Sequence, residues 1–218
     1  MSGPVRERTH LTSTEDAGPR PAADRIAETR VRLLDAVIEA LAECGYAGTS
    51  TTVVARRSGL TRGAQQHHFG TKDQMMVAVI EYLGQRIDAA DMEAALGHLE
   101  GPQRVRAALS VMAQMFTGPV PDAYIELRFA SRTNAALAAA LQDTDFAGHE
   151  GVRRLFGEDV LDRAGSEFDA LLDLAMFALR GMALDAHLVS ADDLQARVAL
   201  IQGLAPMLER ALGMRRRR

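Results

Sequence analysis

Residues 49–72 read TSTTVVARRSGLTRGAQQHHFGTK, and their reading decides the fold. The stretch scans as two short helices joined by a tight turn. Ala55 is small enough for a second helix to cross close to the first. Gly59 can take the positive φ that a sharp helix-to-helix turn often needs. Val54 and Leu60 are apolar and pin the pair to a core. Thr61 is placed to cap the next helix through its hydroxyl. That helix, 62–68, presents Arg62, Gln65, Gln66, His67 and His68. So much polarity is costly in a core and useful against base edges and phosphates.

Charge supports the same reading. From 44 to 72 there is no Asp or Glu, while Arg56, Arg57, Arg62 and Lys72 are all present, a local +4 in a chain of formal charge −4. Such an acid-free window is an electrostatic footprint for nucleic acid. Thr49, Thr51 and Lys72 are candidate phosphate contacts near helix N-termini. Thr61, Arg62, Gly63, Gln66, His67 and His68 are the candidates along the second helix.

The segment resembles the N-terminal domain of TetR-family bacterial transcription regulators. The residues that carry the likeness are the Gly45-Tyr46 pair closing an amphipathic first helix, a Thr-rich start to helix two and an Ala–Gly turn. A recognition helix ending in His68-Phe69, with Lys72 shortly after, completes it. The likeness covers roughly 26–83. Most members carry an apolar residue and then Tyr where this chain has Gln65 and Gln66. The resemblance implies that Gln66 replaces a ring that packs on the DNA backbone, so the site read by this chain is expected to differ.

At 218 residues, 47% hydrophobic and 5% aromatic with no Trp, the chain has enough apolar residues for a sizeable core and favours helix. No run approaches the length of a membrane span, and the start lacks a signal-peptide core. One cysteine, Cys44, excludes an intramolecular disulfide. The expectation is a soluble cytoplasmic protein with no cofactor.

The fold class read from periodicity is all-α, with about nine helices. Residues 1–23 read as a disordered arm, 24–84 as a helix-turn-helix domain, 85–214 as a helical ligand-binding and dimerisation domain, and 215–218 as a basic tail. Ile26, Leu33, Leu34, Val37, Ile38 and Leu41 recur at helical spacing. Gly45 then supplies a stop, and Thr71 with Gln74 forms a capping box for helix four. Helix four is expected to run into the mid-90s and so link the two domains. Pro102 opens a helix, Pro121 another that continues or bends towards 141, and 148–160 a shorter one. Two long helices follow, about 166–189 and 194–212.

Residues 85–210 carry 19 acids and 11 Arg, a net of −8, so this region is a poor DNA partner. The last two helices are apolar over wide arcs. Phe168, Leu172, Leu179, Leu194, Val198, Ile201 and Leu208 are candidates for a homodimer interface built as a four-helix bundle, which the resemblance also implies. A small-molecule pocket is expected among Met112, Met115, Phe116, Tyr124, Phe129, Phe146, Met176 and Phe177. Tyr124, Arg128 and Arg132, at i, i+4 and i+8, share a helix face. The two arginines either hold an acidic ligand group or pair with acids on neighbouring helices.

Catalytic and metal-binding patterns are absent: there is no nucleotide-binding glycine loop and no H-E-x-x-H. His67 and His68 project about 100° apart on a helix and chelate poorly. The reading is therefore a non-enzymatic regulator that binds a palindromic operator in double-stranded DNA and responds to a small molecule, as a repressor. A helical enzyme or metal-binding bundle, and a DNA binder without ligand control, are the rival classes.

Overall fold

The computed structural model describes residues 22–86, 94 and 96–214. The expected arm up to 21, the reach of helix four beyond 86 and the tail at 215–218 lie outside the described residues, as do the side chains of Arg62 and Phe146. Among the described residues the chain is helical, with no strand. Its α-helices are α1 (Ala22–Gly48), α2 (Thr51–Ser58), α3 (Arg62–Phe69), α4 (Lys72–Arg86), α5 (Gly101–Met115) and α6 (Pro119–Ser131). They continue as α7 (Ala135–Leu155), α8 (Glu158–Leu161), α9 (Ser166–Asp185), α10 (Ala191–Gln202) and α11 (Ala205–Ala211).

That is more helices than the periodicity predicts, and each extra break has a local cause. The stretch read as one helix from 194 to 212 is two. Pro206 lacks an N–H and its ring clashes with the preceding turn, so the chain breaks at Gly203-Leu204 and α11 restarts with the proline in its first turn. The stretch from 121 to 141 is also two helices. Asn134 caps α7, its side chain accepting from the amides of Ala136 at 3.1 Å and Leu137 at 3.3 Å. The helix expected over 148–160 is instead the end of α7 followed by a short α8. Gly157, at φ 87°, separates them. Arg104 from α5 fills the gap: its Nε donates to Leu155 O at 3.0 Å, satisfying a terminal carbonyl of α7.

The apolar residues form two clusters. One gathers α5, α8, α9 and the last helices around Phe156 and Phe168, whose rings meet edge to face at 5.2 Å. The other joins Leu33, Val37 and Leu41 of α1 to Val54 of α2 and to Met75, Met76, Ile80 and Leu83 of α4. It also takes in Ala123 and Leu127 of α6 and Leu137 and Leu141 of α7. The core under the helix-turn-helix therefore draws on residues beyond the expected boundary at 84.

Within the motif the turn forms as read. Gly59 sits at φ 69°, ψ 19°, and its N–H closes α2. A Cβ there would meet nothing nearer than Arg32 Nη2 at 3.9 Å, so the need for glycine is conformational and not steric. Gly59→Ala is expected to lower unfolding free energy by about 1 kcal/mol. Urea unfolding measures this, and an unchanged midpoint would contradict it.

Candidate nucleic-acid interface

Helix α3 is held by three local devices. Thr61 accepts at its hydroxyl from the Ala64 amide at 3.2 Å. Gly70 closes the far end at φ 65°. Thr71 and Gln74 then cap α4 reciprocally, with Thr71 N donating to Gln74 Oε1 at 2.9 Å and Gln74 N to Thr71 Oγ1 at 3.2 Å. Phe69 is buried and fixes the inner face of α3.

The outer face follows from helical spacing. Gly63, Gln66 and His67 are exposed and stand at i, i+3 and i+4, a single stripe. Thr61 is exposed beside it, and Thr51 is half-buried at the start of α2. His68 is half-buried. Burial first, then the neighbouring His67 and Arg30, lower its pKa from the usual histidine range, so its ring is neutral at pH 7. Gln65, part of the same polar run, points inward: it is 1% exposed and donates to Met75 Sδ at 3.5 Å. It lies four residues before Phe69, on the same inner face, and this spacing is the signal that separates it from Gln66.

Two expected phosphate contacts are used inside the protein. Thr49 is fully buried, its hydroxyl donating to Gly45 O at 2.8 Å, which corrects its placement on the DNA face. Lys72 Nζ donates to Tyr46 O at 2.7 Å and lies 4.3 Å from the centre of the Tyr46 ring. Burial is the main cause of a lowered Lys72 pKa, opposed by Asp73. Arg57 is bound to Glu43 at 2.8 Å, whereas Arg56 is exposed. Arg30, which the sequence reading omits, sits over Phe69 at 5.1 Å and lines a groove with Gln66, His67 and His68. Nothing in the local pattern of α1 ties it to α3, since only packing brings the two helices together.

The Tyr46 peptide group also faces the second half of the chain. Its N–H donates to Glu126 Oε2 of α6 at 2.7 Å. Gly45, at φ 69°, turns the chain to allow this, and a Cβ there would stand 3.0 Å from the Glu126 carboxylate.

Helix α6 borders a cavity. A small cavity, partly open to solvent, is walled by Met115, Phe116, Val120, Tyr124, Val152 and Met176. Polar groups enter from Thr144, Asp145, His149 and Arg180. Asp145 accepts at Oδ1 from the Tyr124 hydroxyl and pairs through Oδ2 with Arg128, and Arg180 Nη2 stands 3.4 Å from Oδ1. Burial works against both charges, raising the pKa of Asp145 and lowering that of Arg180, each opposed by its partner. Of the expected lining, Met115, Phe116, Tyr124 and Met176 meet here, and Arg128 reaches the site through Asp145. Met112 is instead fully buried in the core, while Phe129 and Phe177 are 52% and 65% exposed and stand outside the cavity.

The expected dimer contacts also need correction. Phe168, Leu172, Leu179, Ile201 and Leu208 are buried within their own protomer, and Leu194 and Val198 are half-buried. Among the described residues from 166 onwards, the outward large apolar residues are Leu174, Phe177, Leu184, Leu188, Leu200 and Met207. Among the described residues no cluster of three or more His, Cys, Asp or Glu is placed to hold a metal, and no helix is long and apolar enough to cross a membrane.

A capped recognition helix with an exposed polar stripe, packed on a second helical half, defines a helix-turn-helix transcriptional regulator. Residues 33–79 match the model of the bacterial regulatory proteins of the tetR family. The chain is 30% identical to the HTH-type transcriptional regulator CymR of Pseudomonas putida, over 76% of this chain and 82% of that one. It is 31% identical to the HTH-type transcriptional repressor AcnR of Corynebacterium glutamicum, over 45% of this chain and 57% of the relative. Its fold matches the transcriptional regulator FadR of Bacillus subtilis, solved with stearoyl-CoA, at a TM-score of 0.61 and 17% identity, covering 83% of this chain and 98% of that one. The chain belongs to the TetR family.

Two variants separate contact from support. A Cβ at Gly63 would meet only Thr61 Oγ1, at 3.9 Å, so Gly63→Ala is expected to hold or raise stability by a few tenths of a kcal/mol up to about 1. It should weaken DNA binding if the helix backbone approaches DNA there. Lys72→Ala is expected to lower stability by about 1 kcal/mol and to leave the salt dependence of DNA binding unchanged. A salt slope reduced by about 1 per site would return Lys72 to the phosphate backbone.

Proposed function

We propose that this protein is a homodimeric transcriptional repressor that acts in the cytoplasm, binds a palindromic operator and leaves it when a small molecule fills the cavity beside α6. The observation that carries the DNA-binding part is the outward stripe of Gly63, Gln66 and His67 on a helix whose ends and inner face are fixed. Thr61, and Arg30 across the groove, extend the surface. Gln66 offers amide donors and an acceptor suited to an adenine edge or a phosphate.

A dimer is supported by spacing on α9. Leu174, Phe177, Gly181 and Leu184 are exposed and recur at steps of three, four and three, a continuous stripe on one face. Nothing lies within 4 Å of a Cβ built at Gly181, so a partner helix can approach closely there. Leu200 of α10 and Met207 of α11 are exposed as well. This stripe replaces the buried residues first expected at the interface.

Ligand control is supported by two struts between the cavity and the DNA-binding helices. Tyr124 lines the cavity from α6, two residues before Glu126, which holds the Tyr46 amide. Thr144 lines it from α7 and donates to Ile80 O of α4 at 3.4 Å. A ligand that shifts α6 or α7 thereby tilts the ends of α1 and α4 that frame α3. The FadR structure holds stearoyl-CoA, and AcnR is named a repressor. By linkage, a coupling of about 1–3 kcal/mol changes operator affinity by roughly 5–150-fold.

Selection of bound sequences from randomised DNA tests the reading. Inverted half-sites about one helical turn apart, or more in a splayed dimer, and an affinity that falls steeply with salt are the expected results. Selected sites without inverted symmetry would contradict it. Phe177→Asp should yield monomers in sedimentation and weaken operator binding by about 10²–10⁴-fold through lost bivalency. A dimeric Phe177→Asp protein would exclude the α9 stripe.

A further inference from the structure

Arg30 is a cation held in place by a ring and not by a carboxylate. On its own helix the positions three and four residues away are Ile26, Ala27, Leu33 and Leu34, so α1 places no acid beside it. Its guanidinium lies over the Phe69 ring, 5.1 Å from the centre. Among the described residues it makes no ion pair and no hydrogen bond. The other cations around the motif are placed differently. Arg32 Nη2 donates to Ser58 O at 2.9 Å, Arg57 Nη1 to Glu43 Oε1 at 2.8 Å and Lys72 Nζ to Tyr46 O at 2.7 Å. Arg56 is exposed on α2, away from the groove that Arg30 lines.

Phe69 is buried and fixes the inner face of α3, so the ring that seats this helix also seats the guanidinium. A ring holds a guanidinium by electrostatic attraction and takes none of its five N–H donors. The groove beside Arg30 is shared with Gln66 and His67 of the exposed stripe, and no carboxylate lines it. A helix in the major groove is flanked by the phosphate backbones, so a cation standing beside that helix meets phosphate oxygens before base edges. We propose that Arg30 is a backbone clamp: its guanidinium, seated on Phe69, donates to a phosphate of the operator strand that runs along the α1 side of α3. The inference rests on reading α3 as the helix that enters the groove. Because the ring already orders the side chain in the free protein, less rotamer freedom is lost on binding. The planar fork also suits two phosphate oxygens at once.

The test uses the full chain and a selected operator, with fluorescence anisotropy across a salt series. Arg30→Met keeps an apolar stem on Phe69 and removes the charge. It should reduce the slope of log affinity against log salt by about 0.9 per protomer. It should also weaken binding by about tenfold per protomer and leave the base preference at every half-site position unchanged. Arg30→Lys should keep the full slope. Operators carrying a neutral methylphosphonate at one phosphate per half-site locate the contact. At one such position the replacement should weaken binding by the unaltered protein and cost the methionine variant nothing further. Arg30→Gln takes the place of the methionine variant if that one does not fold. An unchanged slope without the charge, a lysine variant that loses the slope as fully, or methylphosphonate effects equal in both proteins at every phosphate would each overturn the inference. A preference altered at a single base position would do so too, since it would make Arg30 a reader of base edges. All these outcomes spare the DNA-binding reading, whereas a salt-insensitive affinity of the unaltered protein would remove that reading and the inference with it.

Discussion

The backbone of Tyr46 is the joint on which both halves of the molecule depend. Its N–H is held by the Glu126 carboxylate and its carbonyl by the Lys72 ammonium, each at 2.7 Å. Three helices therefore meet on the backbone of one residue: the end of α1, the start of α4 and the middle of α6. Both bonds are charge-assisted, the stronger kind, at about 1.5–3 kcal/mol each before the cost of burying the charges. That cost is visible at Lys72, where burial outweighs Asp73 and lowers the pKa. The joint also requires Gly45, because its φ of 69° turns the chain so that the amide meets Glu126.

The joint explains why the apolar packing ignores the boundary between the two halves. Leu127 and Ala123 of α6 are fully buried in the same cluster as Val37 and Leu41 of α1. Glu126 and Leu127, adjacent in sequence, thus serve as a polar and an apolar clamp on the same neighbour. Burying a leucine contributes about 1.5–3 kcal/mol, comparable to one charge-assisted bond, so neither clamp dominates. The same helix carries Tyr124 to the cavity. One rigid helix then touches the cavity and the DNA-binding unit, with no loop between them to absorb a displacement.

The motif was legible because its constraints are local. A glycine that must be left-handed, a threonine that must cap and a glutamine three residues on are fixed by the backbone within a few positions. The α7 cap at Asn134 and the break at Pro206 are equally local signals, and continuous apolar periodicity obscured them. What stayed hidden depends on long-range packing. Thr49 resembles a surface hydroxyl at a helix start, and only the fold shows that it bonds back to Gly45. The dimer candidates failed for a related reason. The strongest apolar periodicity on α9 marks Phe168, Leu172 and Leu179, which the protomer buries first. The weaker stripe of Leu174, Phe177, Gly181 and Leu184 is interrupted by a glycine and escapes such a reading. Arg180 is the one basic residue of α9, but Asp145 and Tyr124, its neighbours at the cavity, come from other helices.

Hydrogen exchange of Glu126→Ala beside the unaltered protein tests most directly whether this joint makes one unit of the two halves. Removing the carboxylate leaves the Tyr46 amide unpaired and frees α1 from α6. The account predicts exchange faster by roughly tenfold or more across 51–69, well beyond the altered contact, and also along 119–131. Faster exchange confined to 44–48, with 51–69 unchanged, would contradict it.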